Sequence, residues 1–302
     1  MDLNEFHENN SSNYTLESSI PPVTKVEKCL LGIDEAGRGP VLGPMVYGIA
    51  FCPVSFAEKL KEMGFADSKT LSEEMREKLF SNLNSESKFI GWKAEILSPN
   101  YISNSMLKRG KYNLNALSHD SAIGLVQKAL DDGVNLSEVF VDTVGDPKKY
   151  EAKLSSIFPN INFTVAKKAD ATYPIVSAAS ICAKVARDRV VKGWKFMEGE
   201  SFNEVKFGSG YPADPTTKSF MADNVDKVFG YPQFVRFSWS TSETILQKQA
   251  ISVTWSDEED DENTPSILSF FGKNSKRSSI KKPAKSHQFY KERGLHHVSS
   301  IH

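Results

Sequence analysis

At 302 residues the chain is long enough for one large domain or two smaller ones with a full core. Its 37 Lys and Arg stand against 38 Asp and Glu, a formal net charge of −1, so no global basicity advertises nucleic-acid binding. Three scattered cysteines, Cys29, Cys52 and Cys182, exclude a disulfide framework and are expected as reduced thiols, and no apolar run approaches a membrane span.

Residues 1–24 are polar and rich in Asn and Ser, and are expected to be a flexible segment without a secretory signal. From 25 to 249 apolar strand-like runs alternate with helical patterns. KCLLGID (28–34), VYGIAFC (46–52) and KFIGWKAEIL (88–97) follow one another with short or modest connections, which favours antiparallel pairing. SEVFVD (137–142) and NFTVAKKAD (162–170) are two further strands. Each follows a helical pattern, NALSHDSAIGLVQKALDD before the first and KKYEAKLSSIF before the second, as parallel crossovers require. Pro174 can start a helix that continues through IVSAASICAKVARDRVVKGW. The expected domain is therefore α/β, a mixed sheet with helices packed on it. Residues 250–302 change character, with an acidic block, SDEEDDEN (256–263), and a basic one, KNSKRSSIKKPAK (273–285), the pattern of a disordered, solvated tail.

The acids fall at one kind of place. Asp34 ends the first strand, Asp142 ends the fourth, and Asp170 lies just past the fifth, before a helix. Converging carboxylates raise one another's pKa, and a divalent metal removes that repulsion. Mg²⁺ prefers such hard oxygen ligands. Two ions about 4 Å apart can serve the attacking water and the leaving oxygen of a phosphodiester. Glu35 adjoins Asp34, and neighbours on a regular strand point to opposite faces. Both reach one site only if the strand ends or bends between them, which Ala36-Gly37 would allow. Taken singly, each acid reads better as a turn or cap residue; it is the set that points to a metal site.

Five ordered blocks carry a family resemblance. DEAGRGPVLGPMVYG (34–48) resembles the signature of type 2 ribonuclease H. DSKTLSEEMRE (67–77), FVDTVGDP (140–147), KKADATYPIVSAASICAKVARD (167–188) and GSGYPADPTT (208–217) are similar to its later blocks. The resemblance spans roughly residues 26–230 and looks most like the eukaryotic catalytic-subunit branch. It implies the ribonuclease H-like fold, a five-stranded mixed sheet flanked by helices with a small helical C-terminal part. It also implies an endonuclease that hydrolyses the RNA strand of RNA–DNA hybrids and cuts 5′ to single ribonucleotides in duplex DNA. The implied metal-binding and catalytic set is Asp34, Glu35, Asp142 and Asp170, with two Mg²⁺ ions during catalysis and Mn²⁺ as substitute.

The same resemblance assigns Gly37, Arg38 and Gly39 to the loop whose backbone approaches the ribose 2′-hydroxyl, the group that tells RNA from DNA. It assigns Tyr211 to the sugar beside the ribonucleotide, and Asp67, Ser68 and Lys69 to substrate contact. Lys184 and Arg187, one turn apart on the helix after Asp170, could present cations to phosphates. His119 reads as a helix residue rather than a ligand. In the tail, Ile267-x-x-Phe270-Phe271 resembles the box by which replication proteins dock on the sliding clamp, with Thr264 where a glutamine usually leads. The basic block reads equally as a nuclear import signal or a nucleic-acid-binding arm. Two accessory subunits, a nuclear location and a role in replication and repair follow from the resemblance alone. Two rival readings are a related nuclease acting on plain DNA, and a non-catalytic nucleic-acid-binding module tethered to the clamp.

Overall fold

The computed structural model describes residues 1–65, 71–110, 112–143, 145–199, 202 and 205–252. Contacts divide the chain into two units, 1–252 and 253–302; the second, with Ile267, Phe270 and Phe271, lies outside the described residues, as do Asp67, Ser68 and Lys69.

Among the described residues six strands form one sheet: β1 (Tyr14–Glu17), β2 (Cys29–Ala36), β3 (Met45–Pro53), β4 (Gly91–Leu97), β5 (Leu136–Asp142) and β6 (Asn162–Ala166). Their spatial order is β1-β4-β3-β2-β5-β6. The β2–β3–β4 run pairs antiparallel and β2–β5–β6 pairs parallel, as the connection lengths predict. The helices are α1 (Asn4–Glu8), α2 (Ala57–Glu62), α3 (Glu73–Ser85), α4 (Pro99–Met106), α5 (Leu114–Asp131), α6 (Pro147–Ile157), α7 (Ala169–Thr172), α8 (Pro174–Lys192), α9 (Pro215–Asp223) and α10 (Ser240–Gln249). No described helix is long and apolar enough to cross a membrane.

Local chemistry starts these helices where the site needs them. Asn113 caps α5 by accepting from Ala116 N–H, and Asp146 caps α6 ahead of Pro147. Pro174 opens α8, which is buried along most of its length and lies across the sheet. A Cβ at Gly32 would stand 2.3 Å from the Ile175 carbonyl oxygen, and one at Gly48 would stand 2.6 Å from that of Ala179. Those two glycines let the α8 backbone approach β2 and β3 directly. One apolar cluster fills this face with α3 and α8, and a second fills the opposite face with α5 and α6. Cys29, Cys52 and Cys182 are free and buried, and burial pushes the first two thiols up to about 12.

The N-terminal segment departs from expectation. Within 1–24, α1 docks Phe6 at 1% exposure, and β1 adds a sixth, edge strand by pairing with β4. Burying one Phe side chain stabilises by about 1.5–3 kcal/mol. That adds to the β1–β4 backbone pairing in opposing an ordering entropy of about 1–2 kcal/mol per residue, in a segment whose polar composition otherwise argues for looseness. Trp194 and Tyr14 pack edgewise and tilted on the Phe6 ring, and the Tyr14 hydroxyl donates to Glu5.

Candidate active site

Asp34 and Glu35 lie on β2, which continues through Ala36 in register with β3. The expected break between them is absent. Parity therefore sends them to opposite faces of the sheet. Asp34, 4% exposed, faces α8, where it meets the Ser180 hydroxyl and the charge of Lys184. Glu35 faces the α5–α6 side, close enough to act on the Tyr47 and Tyr150 phenols. The strand's other neighbour resolves the puzzle. Parallel pairing with β5 stops at Ile33–Val141, so beyond it the β5 side of β2 lies open. Asp142, the last residue of β5, comes next and acts on Asp34 while lining the same cavity as Glu35. Its Oδ1 accepts from Ala169 N–H at 2.9 Å, which ties the strand end to α7. Lys168, at φ 57°, makes the left-handed turn into α7 and so sets Asp170, 2% exposed, beside β5. The Ser177 hydroxyl holds the Asp170 carbonyl.

Burial, and then the Glu35 charge with Asp142 behind it, holds the Asp34 carboxyl well above the usual range; Ser180 and Lys184 pull it the other way. A divalent cation would relieve both the burial and the repulsion. Among the described residues no group of three or more His, Cys, Asp or Glu side chains is placed to hold a metal ion by itself. Mg²⁺ is usually held by one or two carboxylates plus water and substrate phosphate, so an open set of strand-end carboxylates fits it.

The Gly37–Gly39 loop follows directly. Gly37 has φ +78°, and a Cβ there would stand 2.2 Å from Arg187 Nε. Arg187, expected to present its charge to phosphate, instead turns inward and donates to the carbonyls of Pro44 and Leu42. Lys184 stands at the acids and donates to Ser180 at 2.9 Å. Tyr211, half exposed, packs its ring edge over Gly39, and Gly210 accepts from Val41 N–H, so the 208–217 block lies against the loop and the residues after it. His119 sits in α5, stacked at 3.8 Å on Tyr150, a helix residue as read.

Arg236, which the sequence reading passes over, is fully buried beneath this loop. Its guanidinium donates to the carbonyls of Gly43 (2.8 Å), Gly37 (2.6 Å) and Arg38 (3.2 Å), and Trp239 covers it at 4.7 Å. Trp239 also donates its indole N–H to the Gly39 carbonyl at 3.2 Å. In a trans peptide C=O and N–H point opposite ways. With the Gly37 and Arg38 carbonyls turned to Arg236, the Arg38 and Gly39 N–H groups face away from it. A signal was available in QFVRFSW (233–239), where an arginine interrupts an apolar run.

The sheet order and the acids at its carboxyl-end edge define the class first, a hydrolase of the ribonuclease H type. The family description Ribonuclease HII matches residues 31–242. A ribonuclease H2 subunit from Bos taurus is 54% identical over 297 residues, 98% of each chain. The ribonuclease H2 structure from Pyrococcus horikoshii OT3 matches with a TM-score of 0.60 at 32% identity, covering 73% of this chain and 98% of that one. The Archaeoglobus fulgidus RNase HII, solved in complex with PCNA, matches at 0.58 and 28%, covering 76% and 99%. The chain belongs to the ribonuclease HII family and is a ribonuclease H hydrolase.

Proposed function

We propose that this chain hydrolyses the RNA strand of RNA–DNA hybrids and cuts on the 5′ side of single ribonucleotides embedded in duplex DNA. Asp34, Glu35, Asp142 and Asp170 would hold two Mg²⁺ ions, with Mn²⁺ a substitute. Bound there, the ions supply an activated water and charge relief at the leaving oxygen. No side chain serves as nucleophile: water displaces the 3′-oxygen in line, leaving a 3′-hydroxyl and a 5′-phosphate. The N–H groups of Arg38 and Gly39 offer donors to the ribose 2′-hydroxyl, while Tyr211 packs on the neighbouring sugar. Lys184 faces the acids and is placed to meet the substrate phosphate.

The observation that carries this reading is the Gly37–Gly39 loop, held from below by Arg236 and covered by Tyr211, directly after the two acids on the same strand. A chain that only bound nucleic acid would have no use for four carboxylates beside a phosphodiester. The bovine relative is by name one subunit of its enzyme, which supports assembly with partners, here two accessory subunits in a heterotrimer. The PCNA complex of the archaeal relative supports clamp interaction; the assignment of that contact to Ile267, Phe270 and Phe271 rests on the tail's resemblance to the clamp-docking box. A nuclear role in ribonucleotide and primer removal during replication and repair goes with those partners.

The test is a substrate panel in Mg²⁺ with EDTA controls: an RNA–DNA hybrid, a DNA duplex with one ribonucleotide, and all-DNA. Cleavage of the first two alone, abolished by EDTA, is expected. Equal cutting of all-DNA would identify a plain DNA nuclease instead. Tight binding without cleavage, even with co-purified partners, would identify a binding module.

A further inference from the structure

We propose that Ser118 and Asn115 on α5 are positioning residues for ribonucleotide recognition, acting through the Arg38 guanidinium to hold the Gly37–Gly39 loop in register with the acids. The proposal deepens the functional reading above and rests on it. Arg38 reaches across to α5, where Nη1 donates to Ser118 Oγ at 2.6 Å and Nη2 to Asn115 Oδ1 at 2.5 Å. Two of its five donors are therefore directed at one helix turn in a fork geometry, rather than out toward a phosphate. Ser118 is buried and also meets the Tyr47 phenol. Tyr47 pairs with Glu35 across β2 and β3. The contacts thus form a short chain from the Glu35 neighbour to the loop: Tyr47, Ser118, Arg38, with Asn115 as the second anchor.

The loop needs that lateral hold. Arg236 fixes the carbonyls of Gly37, Arg38 and Gly43, and Trp239 fixes that of Gly39. Those contacts restrain the loop from beneath and behind. Arg38 is the one loop residue with a side chain between two glycines, and its tether sets how far the loop sits from α5. Glu35, Arg38, Asn115, Ser118 and Asp142 line one cavity of about 330 Å³, so a loop displaced toward or away from α5 moves relative to two of the acids. A recognition group misplaced by about 1 Å can lower turnover by about 100-fold.

The experiment uses the full-length chain, alone or co-purified with its partner subunits, in the form where the parent is active. Initial rates on a duplex with one ribonucleotide give kcat and KM for Ser118→Ala, Asn115→Ala, Arg38→Ala, and each of the first two combined with the third. Asn115 is exposed, so its truncation leaves the core untouched even if Ser118→Ala disturbs packing. We expect each single α5 variant to lose about tenfold in kcat with KM within about twofold, and Arg38→Ala to lose more. In the Arg38→Ala background neither α5 substitution should matter further, because their path runs through that guanidinium. Losses that simply multiply in the double variants, or parent turnover in both α5 variants, would overturn the proposal. A parent that cuts all-DNA equally well overturns the functional reading, and the proposal with it, before any variant is compared.

Discussion

Replacing Arg236 by Met keeps the length of the stem and removes the guanidinium. Three carbonyls, of Gly37, Arg38 and Gly43, then lose donors at 2.6, 3.2 and 2.8 Å. An orphaned buried polar group costs about 1–3 kcal/mol; that applies in full at the buried Gly43 contact and only in part at the part-buried Gly37 and Arg38 contacts, where water can replace the lost donor. Burial works the other way, because it disfavours this cation strongly enough to push its pKa well below the usual arginine range. Removing a buried charge recovers several kcal/mol of desolvation. The two effects largely offset in global stability, with a net loss of about 1–3 kcal/mol expected. They do not offset in the loop's position, which loses its restraint outright. Urea unfolding and single-ribonucleotide cleavage are measured on the same preparation. The reasoning predicts a modest fall in the unfolding midpoint and a fall in kcat of about 100-fold. Turnover within about threefold of the parent would refute the view that Arg236 shapes the loop.

Asp34→Asn should abolish cleavage and yet stabilise the fold in EDTA at neutral pH. An unfolded Asp ionises near pH 4, whereas burial and the Glu35 charge raise the folded-state value. Between the two values the folded form holds more protons, so parental stability falls as pH rises through the folded pKa. The advantage of the variant should therefore be present at about pH 7.5 and vanish near pH 4, read by urea unfolding at both. Mg²⁺ should raise the parent's midpoint by mass action and leave that of Asp34→Asn little changed; an equal rise in both would argue against the metal site. Gly37→Ala forces a side chain into φ +78° with its Cβ 2.7 Å from the Pro44 carbonyl oxygen. About 1–2 kcal/mol of backbone strain is expected, with a larger proportional loss in cleavage, measured by the same pair of assays. Tyr211→Ala, on a half-exposed ring, should leave the unfolding midpoint unchanged and lower single-ribonucleotide cleavage more than hybrid cleavage.

The strands β2 to β6 were legible because apolar runs ending in acids, joined by connections of contrasting length, have few ways to pair. Asp142 at the end of β5 was legible for the same reason, whereas β2 runs two residues past Asp34 and Asp170 falls inside α7. The edge strand β1 was not. YTLE is four residues long, and nothing local holds it until β4 offers a partner and Phe6 finds the core. The relation of Asp34 to Glu35 was half legible: strand parity places them on opposite faces, but only the early end of β5 shows how both reach one edge. Arg187 was expected to meet phosphate because helical spacing says which face a residue shares, not whether carbonyls from a distant loop await it. Arg236 lies about 200 residues from the carbonyls it holds, a contact that no local pattern encodes.

The most direct measurement maps the cut in a 5′-labelled duplex carrying one ribonucleotide, with Mg²⁺ present and the chain in its active form. The account predicts a single break on the 5′ side of the ribonucleotide, with a 3′-hydroxyl on the upstream fragment and a 5′-phosphate on the downstream one, lost in Asp142→Ala. A break on the 3′ side, a cyclic phosphate end, or undiminished cutting by Asp142→Ala would contradict it.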